Sequence, residues 1–182
     1  TSGGTEANAL ALHSSNPKTR LICSAIEHPS VSETALWLKQ QGRAVEIIKV
    51  DNNGLIDESS FDELQIKSPA IVSMMLANNE TGCIQDIAKH TDKLRANGVT
   101  VHTDAVQALG KIPVDFKKLG VQRMSISSHK IYGPKACGAL VVAENFKLQA
   151  WQRGGDQEQG LGHGPHQLPG LAVSLCHRAG RQ

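Results

Sequence analysis

Along the first 145 residues, short apolar runs of strand composition alternate with segments of helical spacing. That alternation restricts the chain more than any other feature. Strand–helix–strand units close into a mostly parallel sheet covered by helices. Strands are expected at residues 21–26, 44–50, 70–77, 99–105, 123–127 and 138–143. Residues 70–77 are almost continuously apolar, which suits a strand buried on both faces. Helices are expected at residues 29–41, opened by a proline, at 58–65, and at 84–97 with Gly98 as the stop signal. Residues 7–12 have helical character, and residues 114–119 suit a short helical turn. Asn52-Asn53-Gly54 is turn chemistry. The fold class these segments define is α/β, built on a mainly parallel sheet.

Composition narrows the function classes. A chain of 182 residues buries roughly 70% of its unfolded surface, so it needs no disulfide or metal to hold a core. The formal charge of +2 and the 3% aromatic content speak against a nucleic-acid partner. No apolar run approaches the ~20 residues of a membrane span, so no membrane partner is expected. Cys23, Cys83, Cys137 and Cys176 are separated by 60, 54 and 39 residues. No CxxC occurs, so no metal site is expected, and the thiols read as reduced. The chain opens without a basic and apolar leader, and a cytoplasmic location is expected. It does not start with Met, so an upstream segment is expected to be missing. Residues 154–170 hold six glycines and two prolines and read as a loop. A helix is expected to begin at residue 171 and to be cut short by the end of the chain at Gln182. Two units are therefore expected: residues 1–150, and a glycine-rich loop with the start of a truncated helix over 151–182.

Three segments carry chemistry. Ser127-Ser128-His129-Lys130 ends a strand, where open parallel sheets place their ligands. Tyr132-Gly133-Pro134-Lys135 follows as a rigid turn. Asp104 ends the strand of Val101-His102-Thr103-Asp104-Ala105, with Gln107 in the next loop. Thr1-Ser2-Gly3-Gly4-Thr5-Glu6-Ala7-Asn8 opens a helix whose free N–H groups form an anion site by geometry and dipole. Taken singly, each has an ordinary reading: a surface lysine, an aspartate capping a helix, a capped helix start. Together a phosphate cradle, an acid and a lysine at strand ends are the minimum set for pyridoxal 5'-phosphate. The lysine forms a Schiff base with the aldehyde. The carboxylate keeps the pyridine nitrogen protonated and makes the ring an electron sink.

With these motifs the chain resembles the large domain of the class V aminotransferase-like enzymes, in the cysteine desulfurase and selenocysteine lyase group. The resemblance also rests on Glu27-His28, on Ala77-Asn78-Asn79-Glu80-Thr81-Gly82, on Gln107 with Gly110-Lys111, and on Lys130-Ile131-Tyr132-Gly133-Pro134-Lys135. It covers residues 1–150 almost continuously. It implies the large domain of PLP-dependent transferase fold type I, a three-layer α/β/α sandwich. It implies that Lys130 is the Schiff-base lysine, that Asp104 partners the pyridine nitrogen, and that Gln107 hydrogen-bonds the phenolic oxygen. His28 would stack on the pyridine ring. Its plain alternative is a helix N-terminal histidine before Pro29. Gly4, Thr5, Ser127 and His129 would contact the phosphate. Asn79 would lie near the phenolic oxygen and the substrate.

The reaction implied is conversion of cysteine to alanine with release of sulfur, on a small amino acid substrate, by a homodimer. Selenocysteine lysis is the close variant. Family members are longer, and a smaller domain beyond the glycine-rich loop carries their nucleophilic cysteine. No cysteine here stands in that motif, although Cys83 lies beside Asn79. Cys23 and Cys137 read as small buried residues. Where the family loop runs toward Arg-Ser-Gly-Thr, this chain has Gly162-His163-Gly164-Pro165, so the arginine and the phosphate-binding threonine are gone. The alternative of a different class is a catalytically silent remnant that binds cofactor or a protein partner.

Overall fold

The structure, a computed structural model, describes residues 1–144 together with residues 146, 148 and 149. The expected loop and helix over 151–182 lie outside the described residues. Six strands form one sheet: β1 (Arg20–Ser24), β2 (Val45–Ile48), β3 (Ala70–Ser73), β4 (Thr100–Asp104), β5 (Arg123–Ser127) and β6 (Gly138–Val142). Their spatial order is β2-β1-β3-β4-β5-β6. All neighbours are parallel except β5 and β6, which run antiparallel. Helix α1 (Gly4–His13) precedes the first strand, and α2 (Pro29–Gln40), α3 (Glu58–Glu63), α4 (Ile87–Ala96) and α5 (Phe116–Leu119) lie between strands in sequence.

The side-chain period of two along each strand sorts the core onto two faces. Ile22, Val72, Val101 and Met124 pack with Phe61 of α3 and with Ile87 and Leu94 of α4. Leu21, Cys23 and Ile71 pack with Leu12 of α1 and with Val31, Ala35 and Leu38 of α2. The result is three layers, with the sheet in the middle. The second face changes character toward β4 and β5. There Ser73, His102, Asp104, Arg123, Ser125 and Ser127 are all buried.

Caps set the helix starts. Asp57, Asp86 and Asp115 each accept a backbone N–H of the first turn that follows. The cap at Asp86 explains why α4 begins at Ile87, three residues after the expected start. Gly98 and Gly120 follow α4 and α5 with φ of 69° and 68°, a left-handed conformation that glycine adopts freely. Two buried arginines close the other end of α1. Arg43 donates to the carbonyls of Thr19 and Leu12, and Arg123 donates to those of Ala11 and Ser14. Cations there satisfy orphan carbonyls and oppose the negative end of the helix dipole.

The edge strand β6 reaches back to the start of α1. A Cβ placed at Gly138 would lie 2.5 Å from the Gly3 carbonyl carbon, so only glycine allows this approach. The substitution Gly138→Ala should therefore cost ~1–3 kcal/mol by overpacking. Urea denaturation should show a lowered midpoint, and an unchanged midpoint would contradict the close approach.

Candidate active site

A cleft of about 160 Å³ opens at the carboxyl ends of the parallel strands. Its lining includes Gly4, Thr5, His28, Asp104, Gln107, His129 and Lys130, seven of the nine residues singled out from sequence. Ser127 lies just behind the lining, and its hydroxyl is 2.8 Å from His129 Nδ1. Asn79 is exposed and lies outside the lining. Asn8, Ser30, Met75 and Val106 also line the cleft, and sequence reading gave them no role.

Local structure places each group. Lys130 sits in a 3₁₀ turn, Ser128–Ile131, that follows β5 directly. Tyr132 closes this turn at φ 61°, an uncommon conformation for a bulky residue. Ser128 Oγ pins the turn, its single proton shared between the carbonyls of Pro134 and Cys137. A Cβ at Gly110 would come 2.7 Å from Ile131 Cγ2, so the glycine lets the residue beside Lys130 approach. The Lys130 side chain itself is exposed.

The start of α1 has a different arrangement. Gly3, its N-cap residue, lends no side-chain cap. Glu6 instead reaches back, accepting from Ser2 N–H at 2.5 Å and from Ser2 Oγ at 2.6 Å. A Cβ at Gly4 would meet Val106 Cγ2 at 2.9 Å, so the first turn of the helix lies close against the loop after β4.

His28 is the N-cap of α2, as the plain reading of His28-Pro29 holds, and its ring also lines the cleft. Its Nδ1 accepts from Ser30 N–H at 3.1 Å and lies 2.8 Å from Ser30 Oγ. Asp104 is 2% exposed. Its carboxylate accepts from Val106 N–H at 2.9 Å and from Asn8 Nδ2 at 2.7 Å. Burial raises its pKa, while the Val106 and Asn8 hydrogen bonds and the nearby His28 pull it down. Gln107 Oε1 accepts from Lys111 Nζ at 2.5 Å.

Beneath the cleft a hydrogen-bonded line crosses four strands. Glu27 accepts from Ser24 Oγ at 2.5 Å, from Met75 N–H at 2.6 Å and from Ser73 Oγ at 3.2 Å. Ser73 Oγ is 3.0 Å from His102 Nδ1, and His102 Nε2 is 2.9 Å from Ser125 Oγ. Glu27 thereby fastens the loop that carries His28 to the end of β3. Burial lifts the Glu27 carboxyl to about 7, with Asp104 adding to the rise against its own hydrogen bonds. Burial also lowers His102 to about 3, helped by the positive charge of Arg123.

The motif around Asn79 has its own geometry. Asn78 accepts from the N–H groups of Glu80 and Thr81, each at 2.9 Å, and donates to the Ile26 carbonyl at 2.8 Å. Asn78 thus shapes the loop, while Asn79 stands exposed on it. Cys23, Cys83 and Cys137 lie apart from the cleft lining. Cys23 is buried in β1, with its thiol pushed well up by burial. Cys83 Sγ donates to the Gly54 carbonyl at 3.2 Å. Cys137, expected to be buried, is only half-buried.

Glu27 and His102 give opposite pH dependences. Between about pH 4.5 and 7 the unfolded chain has lost the Glu27 proton that the folded chain retains. Glu27 therefore erodes stability as pH rises through that window. His102 contributes stability that is present above pH 6.5 and lost as pH falls toward about 3. Glu27→Gln removes the first effect and leaves the second. Measured by urea denaturation, the stability of the variant relative to wild type should rise between about pH 4.5 and 7. A difference that does not change with pH would refute a neutral, buried Glu27.

The parallel sheet, the helix N-terminus and the lysine-bearing turn define the class: an α/β domain with a ligand cleft at the carboxyl ends of its strands. Residues 1–167 match the Aminotransferase class-V family, and the chain belongs to that family. Its members depend on pyridoxal phosphate. The chain is 39% identical over 176 residues to a cysteine desulfurase of Sinorhizobium fredii, covering 94% of this chain and 46% of the relative. It is 36% identical to the cysteine desulfurase IscS of Methanosarcina thermophila, covering 94% and 44%. Among solved structures, a NifS-like protein from Rickettsia africae superposes with a TM-score of 0.85 at 33% identity, covering 96% of this chain and 49% of that one. The protein SspA in complex with cysteine gives 0.86 at 33% identity, covering 97% and 54%. The chain thus spans just under half the length of these curated relatives.

Proposed function

We propose that this chain is the cofactor-binding portion of a cysteine desulfurase-like enzyme and holds pyridoxal phosphate in the cleft. The observation that carries the reading is one cleft lined by Asp104, Lys130, His28 and the first turn of α1. The residues fit the group. The first turn of α1 presents Gly4 and Thr5, where a side chain at position 4 would collide with Val106. A helix N-terminus of this kind suits a phosphate. Asp104 is a buried carboxylate whose donors, Asn8 and Val106, are both neutral. A protonated pyridine nitrogen would give it the cation that its burial calls for.

In this reading Lys130 supplies the amine and Asp104 holds the pyridine nitrogen. Gln107 donates to the phenolic oxygen, and His28 covers the ring. Gly4, Thr5, Ser127 and His129 hold the phosphate. Asn79, outside the lining, is assigned no contact. When bound, the cofactor supplies an aldehyde that links to amines and a ring that draws off electron density. Residues 1–150 form the cofactor-binding portion. The relatives named cysteine desulfurase, and the neighbour solved with cysteine, favour cysteine over selenocysteine as the substrate.

Desulfuration also needs a thiolate that attacks the substrate sulfur. Among the described residues, Cys23 and Cys83 are engaged away from the cleft and Cys137 stands outside its lining, and no cysteine of the chain matches the family's nucleophile motif. The 182 residues alone are therefore proposed to bind cofactor and amino acid while releasing essentially no sulfide. Removing one member of a catalytic set commonly costs several orders of magnitude in rate. Homodimer formation is proposed with it, because Leu36, Trp37 and Ile47 are each about half exposed. Exposed apolar surface tends to be buried by association. Among the described residues no helix is long and apolar enough to cross a membrane, and a cytoplasmic location is proposed.

Borohydride reduction in the presence of pyridoxal phosphate, followed by peptide mapping, should place the pyridoxyl label on Lys130. Lys130→Ala should carry none, and a label on another lysine would sink the assignment. Asp104→Ala should weaken cofactor binding on the order of tenfold to a hundredfold, the loss of one charge-assisted hydrogen bond. Sulfide release from cysteine at an ordinary enzymatic rate, dependent on Lys130, would show that one of the chain's own cysteines does supply the thiolate.

A further inference from the structure

We infer that Asn8 is a positioning residue that ties Asp104 to His28 through Ser30, setting both side chains against the cleft and holding the His28 proton on Nε2. The inference rests on the cofactor reading above. Asn8 lies inside α1 and is 1% exposed. Asparagine is a poor helix former, and burial of its amide is costly unless hydrogen bonds compensate. Its Nδ2 carries two hydrogens, and both are used. One goes to Asp104 Oδ2 at 2.7 Å and the other to Ser30 Oγ at 2.8 Å. Its Oδ1 is buried and has no hydrogen-bond partner among the described residues. The amide is thus turned so that its donors serve Asp104 and Ser30 while its own acceptor goes without. The flipped amide would set an oxygen against the carboxylate.

The direction of the remaining bonds follows. Ser30 Oγ accepts from Asn8, which leaves its own proton free for His28 Nδ1 at 2.8 Å. Ser30 N–H donates to the same Nδ1 at 3.1 Å. A ring nitrogen that receives two donors carries no proton. Neutral His28 is therefore the Nε2–H tautomer. Two residues 76 positions apart in the chain are thereby locked to each other through one amide. They are the two proposed to hold the ring at its nitrogen and at its face.

Two experiments test this. In the first, the His28 ring nitrogens of the full chain are observed by long-range proton–nitrogen NMR without cofactor. The pH is about 8, above the ordinary histidine range, and a His28→Gln sample gives the assignment. The Nε2–H pattern is expected, and the Nδ1–H or doubly protonated pattern overturns the proposal. In the second, pyridoxal phosphate labelled with ¹⁵N at the pyridine nitrogen is titrated into wild type and Asn8→Leu, which keeps the volume and removes the amide. The variant should bind about tenfold more weakly, the scale of one hydrogen bond to a charged group. Its pyridine nitrogen should shift toward the unprotonated position. A folded variant, judged by circular dichroism, with unchanged affinity and unchanged nitrogen shift overturns the proposal. Failure of the wild-type chain to bind pyridoxal phosphate overturns the cofactor reading instead. Repeated without cofactor on Asn8→Leu, the histidine measurement still decides the Asn8 and Ser30 contacts in that case, and a folded variant whose His28 ring shifts are unchanged overturns them.

Discussion

The burial of one carboxylate, Asp104, organises the candidate site. A carboxyl group at 2% exposure survives as an anion only if donors reach it. Those donors come from two directions, the loop that follows β4 and the interior of α1. The first turn of α1 then sits against Val106, and α2 is tied in through Ser30. The cleft is what remains between elements held by one acid. The same sheet face carries Ser73, His102 and Ser125, which absorb Glu27 into a hydrogen-bonded line below. Polar side chains replace apolar ones there because the strand period puts residues 102 and 104 on one face. Apolar packing on the opposite face holds the sheet together.

Most of the fold was legible because its signals are local. Each of the six expected strands is present, and the alternation with helices announced that the strands from β1 to β5 pair in parallel, though not their spatial order. What sequence left open was set by long-range contacts. The antiparallel return of β6 depends on the turn after Lys130, whose left-handed Tyr132 no glycine announces. The helix expected from residue 84 starts later because Asp86 is a better cap than Cys83, Ile84 or Gln85 before it.

The site divides in the same way. Lys130, Asp104 and the α1 start were readable from strand-end position and glycine placement. Asn8 and Ser30 were not, because their meaning lies in bonds spanning 96 and 22 residues. A signal for Asn8 did exist: an asparagine within an alanine- and leucine-rich helix, where nothing local favours it. Asn79 illustrates the converse. The motif drew attention to it, yet its neighbour Asn78 shapes the loop and Asn79 faces solvent.

The central claim is that Asp104 fixes where the cofactor ring sits and α1 fixes where its phosphate sits. A crystal structure of the chain soaked with pyridoxal phosphate tests this directly. The account predicts the pyridine nitrogen within hydrogen-bonding distance of the Asp104 carboxylate, about 2.7–2.9 Å for a charge-assisted pair, with the phosphate against the backbone of Gly4 and Thr5. A ring bound in the cleft with its nitrogen turned away from Asp104, or a phosphate held elsewhere, would contradict it.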